Sequence, residues 1–451
     1  MNRVLTYILT KDKSKKDFRI LSELCHNSKN LYNYVNYIVR QAFVGKSENI
    51  EEYRDLIQEG RFISEYALSK RLSKRKQSDY ISLKAQCSQQ IIDQVYQDWN
   101  SFFKSIKSYK TDKSKFHGCP QLPKYKNKNG MNVLTFTNQC CSFDKKTKEL
   151  KIGRNQKIAC VVLPNWINNF KQIRVIPKLG YFQIEVVYDK KEGKQNVEQN
   201  TKENSVGIDI GVDNLATITS DKPGIKPIIV NGRCVKSINQ YYNKKLAKLK
   251  SEYSKHGRKS GEKSLKLSRK RKFKIDDYFH KMSRKIVNWC IENNVGKVFV
   301  GHNFGWKQDV SIGKVNNQNF VQIPFDRFIQ MLKYKMNETG IHLETMNEAY
   351  TSKCSALDNE TIEKHDEYLG KRVKRGLFKT MTGKLVNADI NGSLNILRLG
   401  LKRNFNIDFS NLNPTLINEV RDVSIRKPTD RGSVPDPFDE KTSMKKNVKN
   451  Y

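Results

Sequence analysis

Apolar and polar positions change their spacing several times along this chain. Residues 1–9 alternate, with Val4, Thr6 and Ile8 on one face, which is the period of a strand. From 17 to 106 the spacing lengthens to that of a helix. Phe18, Leu21, Leu24 and Cys25 share one face there, as do Ile91, Ile92, Val95, Trp99 and Phe102. A stretch punctuated by Pro and Gly, 116–126, ends the helical block. Short strands then return at 133–136, 150–152, 158–162, 172–177 and 181–188. The pattern predicts a small β-barrel or sheet with a helical block inserted after its first strand. Polar residues 191–204 read as a linker.

Beyond 206 the period alternates between strand and helix. Strands are expected at 206–210, 214–220 and 227–231, followed by a long basic helical region, 236–294. A strand at 297–301, a helix near 325–339 and a strand at 341–346 come next, then a polar insert, 349–385, and a helix from about 390. Three consecutive strands, a helix, and two further strands separated by a helix is the order of an RNase H-like fold. Such a sheet gathers its functional groups where neighbouring strands end, near the switch point. Residues 402–451 lack periodicity, carry four prolines and read as a disordered tail.

Two acids break this apolar pattern. Asp209 lies in the strand Val206-Gly-Ile-Asp-Ile-Gly, and Asp389 opens the last helix in Asn387-Ala-Asp-Ile-Asn-Gly-Ser. A carboxylate in apolar surroundings is costly unless something pairs with it. A metal ion held by both is the pairing these positions suggest.

Charge narrows the partner. The chain has 451 residues, with 84 Lys and Arg against 46 Asp and Glu, a formal charge of +38. Self-repulsion of that size calls for a polyanion, and nucleic acid is the obvious one. Residues 236–285 alone hold 18 basic and 4 acidic side chains, densest at Arg269, Lys270, Arg271 and Lys272. A phosphate-tracking surface fits this run better than a merely solvated helix pair. No apolar run approaches the roughly 20 residues of a spanning helix, and the start shows no signal-peptide core. The nine cysteines include no C-x-x-C pair, which reads as reduced thiols and a cytoplasmic protein.

Several segments, in order, resemble TnpB, the RNA-guided nuclease family of insertion-sequence transposons. They are Gly207-Ile-Asp-Ile-Gly-Val-Asp-Asn-Leu-Ala-Thr217, Val300-Gly-His-Asn-Phe-Gly-Trp-Lys-Gln308, Asn319-Phe-Val-Gln-Ile-Pro-Phe325, Tyr334-Lys335, Glu348-Ala-Tyr-Thr-Ser-Lys-Cys-Ser355 and Asn387-Ala-Asp-Ile-Asn-Gly-Ser-Leu-Asn-Ile396. Pro120-Gln-Leu-Pro-Lys-Tyr-Lys126 and Val175-Ile-Pro-Lys-Leu-Gly-Tyr-Phe182 are similar to the family's barrel domain. The resemblance covers about residues 1–400. It implies a multidomain α+β chain: a wedge-like β-barrel (1–15 and 110–195), an inserted helical recognition lobe (16–109), a RuvC nuclease domain (203–400) and a disordered tail (401–451). It also implies a bacterial protein, near the nucleoid when on DNA. A transposon-encoded guide RNA would direct it to matched double-stranded DNA, which it would cut with two Mg²⁺ ions held by acids.

Asp209 and Asp389 match the first and last of those acids. The middle one, usually a Glu ending the fourth strand, is replaced by Gly301. Glu348, just past strand 341–346, is the expected substitute, with Glu344 a weaker one. The metal set is then Asp209, Glu348 and Asp389. If no acid substitutes, the alternative is an RNA-guided DNA-binding repressor that does not cut. Many relatives carry zinc-binding C-x-x-C pairs in the insert. Here only Cys354 and His365 stand there, with Asp358 nearby, too few for a tetrahedral site. The insert is therefore expected to be zinc-free. Lys124, Tyr125, Lys126, Lys353, Lys371 and Arg372 complete the candidate nucleic-acid contacts, and Trp306 beside Lys307 is a further stacking candidate.

Overall fold

The computed structural model describes residues 2–59, 62–116, 118–153, 158–189, 203–303, 305, 313–405 and 412–417. The described residues divide into two compact units, one within 1–193 and one within 194–424.

The first unit opens with β1 (Asn2–Thr10) and the 30-residue α1 (Lys15–Val44). Ser14 caps α1 by accepting from the Asp17 amide, and its hydroxyl donates to the Asp17 carboxylate at 2.8 Å. A short hairpin, β2 (Ile57–Gln58) and β3 (Phe62–Ile63), leads to α2 (Glu65–Lys74), α3 (Ser78–Ile81) and α4 (Ala85–Thr111). The expected apolar stripes do face inward. Leu21, Leu24 and Cys25 of α1 and Ile91, Ile92, Val95 and Trp99 of α4 are buried. Trp99 Nε1 donates to Asn36 Oδ1 at 2.9 Å, which satisfies both polar groups inside the core.

Six strands follow: β4 (Leu134–Thr137), β5 (Ser142–Phe143), β6 (Glu149–Ile152), β7 (Ile158–Val162), β8 (Gln172–Lys178) and β9 (Tyr181–Asp189). Of the barrel or sheet expected here, backbone ladders show sheets. Among the described residues the strands form two separate antiparallel sheets, β1-β9-β8-β4 and β5-β6-β7. No backbone ladder joins the two. Side chains join them instead, since one apolar cluster takes in both sheets together with α1 and α4.

The second unit is built on a six-stranded mixed sheet. Its strands are β10 (Asn204–Asp209), β11 (Asn214–Ser220), β12 (Ile228–Asn231), β13 (Val295–Gly301), β14 (His342–Met346) and β18 (Thr415–Ile417), and the order is β14-β13-β10-β11-β12-β18. β10, β11 and β12 meander antiparallel, whereas β13 and β14 lie parallel to β10. The C-terminal ends of β10, β13 and β14 therefore share one edge of the sheet. Between β12 and β13 the basic region forms two helices, α5 (Arg233–Ser254) and α6 (Glu262–Glu292), rather than one run. Then come α7 (Lys314–Val321) and α8 (Phe325–Asn337), which with α6 buries Phe279, Phe325 and Phe328 against the sheet.

Two expectations change in this unit. The polar insert is a folded segment that ends in a small sheet, β15 (Lys371–Lys374), β16 (Leu377–Lys379) and β17 (Leu385–Asn387). The reading of 401–451 as disordered fails at residues 415–417, because β18 adds a parallel strand to β12. β12 is the last strand of the meander, so its outer edge is open to pairing, and a three-residue strand covers it. Residues 418–451 lie outside the described residues, as do Trp306 and Lys307. Within the described residues no helix is long and apolar enough to cross a membrane.

Candidate active site

The last helix, α9 (Ala388–Leu401), packs across β10 and β11 and sets the geometry of the site. Asn387 caps it by accepting from the amides of Asp389 and Ile390 at 2.9 and 3.3 Å. Asp389 is thus freed from capping and stands in the first turn, where the helix dipole favours its charge. Its Oδ2 accepts a 2.6 Å hydrogen bond from Asn214 Nδ2 at the start of β11. Its Oδ1 lies 3.8 Å from the Arg372 guanidinium, a half-exposed group on β15.

Asp209 ends β10 and faces the same helix. A Cβ on Gly392 would stand 2.8 Å from Asp209 Oδ2, so the glycine is what lets the carboxylate lie against α9. Burial pushes its pKa up to about 8, with the charges of Asp389 and then Glu348 adding to the effect. Arg372 and the amide of Ile210 oppose it without cancelling it.

Glu348 arrives from β14, the strand beside β13. β13 pairs Gly301 with Met346, which brings the residues just after β14 to the end of β13. A Cβ on Gly301 would lie 2.7 Å from Glu348 Oε2 and 2.5 Å from Ile396 Cδ1. The Glu348 carboxylate therefore occupies the space over Gly301 into which a side chain at 301 would extend. Burial raises its pKa to about 7. The Glu348 amide donates to Asn303 Oδ1 at 3.0 Å, which fixes the backbone that carries it. Glu344, by contrast, sits inside β14 and is exposed.

Asp209 feels the charges of Asp389 and Glu348, and all three side chains offer the carboxylate oxygens a hard divalent cation prefers. Among the described residues, no three acidic, His or Cys side chains are drawn into a closed metal cage. Asp389 instead leans on Asn214 and Arg372. A cavity of about 910 Å³ opens beside Asp389 and is walled by Asp213, Arg233, Arg372 and Arg375. Asp213 is not a fourth member of the cluster: it is bound by Lys236 at 2.9 Å and by Arg375.

Comparison with known proteins follows this geometry. Residues 183–307 match the OrfB_IS605 family model, described as a probable transposase. Residues 325–396 match the Cas12f1-like TNB domain. A TnpB-like protein of Methanocaldococcus jannaschii is 27% identical over 193 residues, covering 40% of this chain and 67% of that protein. Over these stretches the chain is similar to the TnpB and Cas12f1-like proteins. Among solved structures, a Cas12f1 complex with its guide RNA and target DNA covers 88% of this chain and 99% of that one, at 14% identity and a TM-score of 0.34. A C2c1–guide RNA complex covers 88% and 71%, at 9% identity and a TM-score of 0.29. Likeness at those scores is slight, and the fold rests on the strand order above.

Other residues picked out in the sequence separate into exposed and built-in groups. Lys124 and Tyr125 are exposed, and Arg40 sits 5.5 Å from the Tyr125 ring. Lys126 turns inward, with its ammonium 4.0 Å from the Tyr32 ring centroid and its pKa lowered by burial. Lys270 is exposed, and Arg269 is half-buried. Arg271 is a packing residue, bonded to Asn239 and to the Gln322 carbonyl, and Lys272 pairs with Asp276. Lys353, Lys371 and Arg372 are exposed on the insert.

The insert holds itself together without thiolate pairs. The Cys354 thiol donates to the Glu363 carbonyl, and His365 Nε2 lies 2.8 Å from the Thr361 carbonyl oxygen. Asp358 accepts from the Ser355 hydroxyl and the Met381 amide. Sequence reasoning missed Glu360, which is 6% exposed and accepts from the amides of Ser355 and Leu369 at 2.6 and 2.9 Å. It also missed the polar stripe of α9. Asn391 bonds Ala356 and Cys354, and Asn395 bonds the carbonyls of Thr351 and Cys354. These contacts tie the segment that follows Glu348 to the helix that carries Asp389. The spacing 387, 391, 395 on an otherwise apolar helix was the available signal.

Proposed function

We propose that this chain is an RNA-guided, Mg²⁺-dependent DNA endonuclease of a transposon, with a RuvC-type domain of RNase H-like fold in its second unit. One observation carries the reading. The Glu348 carboxylate fills the space over Gly301 and its charge reaches Asp209, so an acid from β14 would stand in for the one β13 lacks. Asp209, Glu348 and Asp389 would hold the metal. When bound, the ions would activate a water and stabilise the leaving oxygen of the phosphodiester. The protein's own part is to keep the three carboxylates facing one another through Gly392, Asn303 and Asn214, and to line the cleft with Arg372 and Arg375 for the phosphate backbone. Similarity to the TnpB proteins supports a guide RNA and a double-stranded DNA target. The first unit would supply the wedge-like strands and the recognition helices.

A repressor that binds DNA without cutting it is the second reading. The observation in its favour is that no three acids are closed into a cage among the described residues. One assay separates the two. The chain purified with its own RNA is given matched duplex DNA and Mg²⁺. Cleavage by the wild type, and a roughly thousandfold loss in Glu348→Gln with DNA binding intact, is the expected result. That size corresponds to several kcal/mol of charge stabilisation. Full activity in Glu348→Gln removes Glu348 from the site, and binding without any cutting makes the chain a repressor.

A further inference from the structure

The carboxylate cleft is not the only basic cavity of the second unit. A cavity of about 660 Å³ lies between α5 and α6, a volume in the range of small-ligand sites. Arg233 lines both this cavity and the one beside Asp389, so a single exposed guanidinium forms part of the wall of each. We infer that the α5–α6 cleft binds an unpaired nucleotide of the DNA strand that passes the carboxylates, with its base on Tyr241 and its phosphates on Arg233, Lys270 and Lys274.

Four observations support this assignment, which rests on the nuclease reading above. Tyr241 is a large ring left 57% exposed in the cleft, with the Lys245 ammonium 5.9 Å from its centroid. Water-exposed aromatic area beside cations suits stacking on a base, whose π-face requires no particular sequence. The neighbouring Tyr242 has the opposite character: its hydroxyl bonds Ser268 and the Arg271 guanidinium covers its ring at 5.0 Å. Arg271 is in turn held by Asn239 and the Gln322 carbonyl, so this wall is rigid before any ligand arrives. Lys270 and Lys274 are exposed one helical turn apart on α6, on the same face. The acid of the cleft, Asp277, is paired with Lys281 at 2.6 Å and does not offset them. A stacking ring inside a cleft can be reached only by a base that is not paired. The shared Arg233 is what favours the DNA strand over the guide.

The test measures binding of the full chain to a fluorescein-labelled single-stranded DNA of mixed sequence, by anisotropy across a salt series. Tyr241→Ala is expected to weaken binding about tenfold, and Tyr241→Phe to stay within about twofold of wild type. The double change Lys270→Gln, Lys274→Gln should also weaken binding and reduce the slope of log K against log salt by roughly 1.4, for two phosphate contacts on a single strand. Unchanged affinity in Tyr241→Ala, or equal losses in the Ala and Phe variants, overturns the cleft. A loss seen only with RNA of the same sequence overturns the assignment to DNA. The measurement needs no cutting. A chain that binds through Tyr241 yet cleaves nothing would refute the nuclease reading and leave the cleft standing.

Discussion

Two sets of acids in the second unit are treated in opposite ways. Glu360, deep in the insert, has both carboxylate oxygens occupied by backbone amides, and Asp358 accepts from a hydroxyl and an amide. Asp209, at the end of β10, lies within reach of the charges of Asp389 and Glu348, and burial raises the pKa values of Asp209 and Glu348 to about 8 and about 7. A carboxylate whose acceptor capacity is filled by the protein is a structural brace. One left against other carboxylates has charge that only a cation or a proton relieves. The comparison therefore tells the brace from the site without reference to any relative. It also bears on both places where the sequence departs from the TnpB pattern it resembles. In the insert, carboxylate–amide bonds hold the chain where a metal would serve in the pattern expected from sequence, and on the proposed reading Glu348 would stand in for the strand-end glutamate that Gly301 lacks.

The sharpest way to break that comparison is at the brace. Glu360→Ala strands two buried amides, each worth about 1–3 kcal/mol, so the local loss should be roughly 4 kcal/mol. Glu360→Gln keeps one acceptor and should lose about half as much. Limited proteolysis would show cutting within 349–385 in the Ala variant while the sheet of the second unit still melts cooperatively. An insert as resistant in Glu360→Ala as in wild type would mean that the amides have other partners and that the carboxylate braces nothing.

The reasons the sequence was readable in some places and not in others follow from the same physics. Strands β10 to β13 were legible because each is a short, largely apolar run bounded by turn residues, buried over most of its length. Asp209 and Asp389 stood out because a charge in an apolar run is expensive. Glu348 was legible only through the topology: its own neighbours, Asn347 and Ala349, say nothing, whereas the parallel β13–β14 pairing places it at Gly301. The separation of the β strands of the first unit into two sheets was not legible, because side-chain alternation does not specify which strand ladders with which. Residues 415–417 were hidden for a related reason. Three residues are too few to show a period, and their strand exists only because β12 offers an edge. Glu360 and Arg271 look like surface charges in sequence, and only their partners make them structural.

A second way to test the contrast is to fill the space that Glu348 uses. Gly301→Ala adds a methyl 2.7 Å from Glu348 Oε2 and 2.5 Å from Ile396 Cδ1. The strand cannot move, so the carboxylate and the isoleucine must, at about 1–3 kcal/mol. Cleavage by the guided complex should fall roughly 10–100-fold, the range in which disturbed support of a metal ligand is felt. Mg²⁺ titration should show the midpoint moving to higher concentration while duplex binding is unchanged. Cleavage equal to wild type in Gly301→Ala would place the Glu348 carboxylate elsewhere when the enzyme works.

The smallest effect is thermodynamic and needs neither RNA nor DNA. Asp209 has a folded-state pKa raised from its ordinary 3.8 to about 8 by burial and by its acidic neighbours. The folded chain then holds a proton there that the unfolded chain releases, throughout the window between those values. Stability contributed by this residue falls as pH rises through that window, and the full penalty is present above it. Asp209→Asn removes the titrating group. Metal-free Asp209→Asn should therefore melt above wild type at pH 8.5 and together with it near pH 5. Water and Arg372 relax part of the repulsion, so a gain of about 1–2 kcal/mol, or roughly 3–6 °C, is expected at the higher pH. Added Mg²⁺ should raise the melting temperature of the wild type at pH 8.5 and leave the variant where it was. A variant that melts below wild type at pH 8.5, or a gap independent of pH, would make Asp209 a satisfied carboxylate like Glu360 and dissolve the distinction between the two clusters.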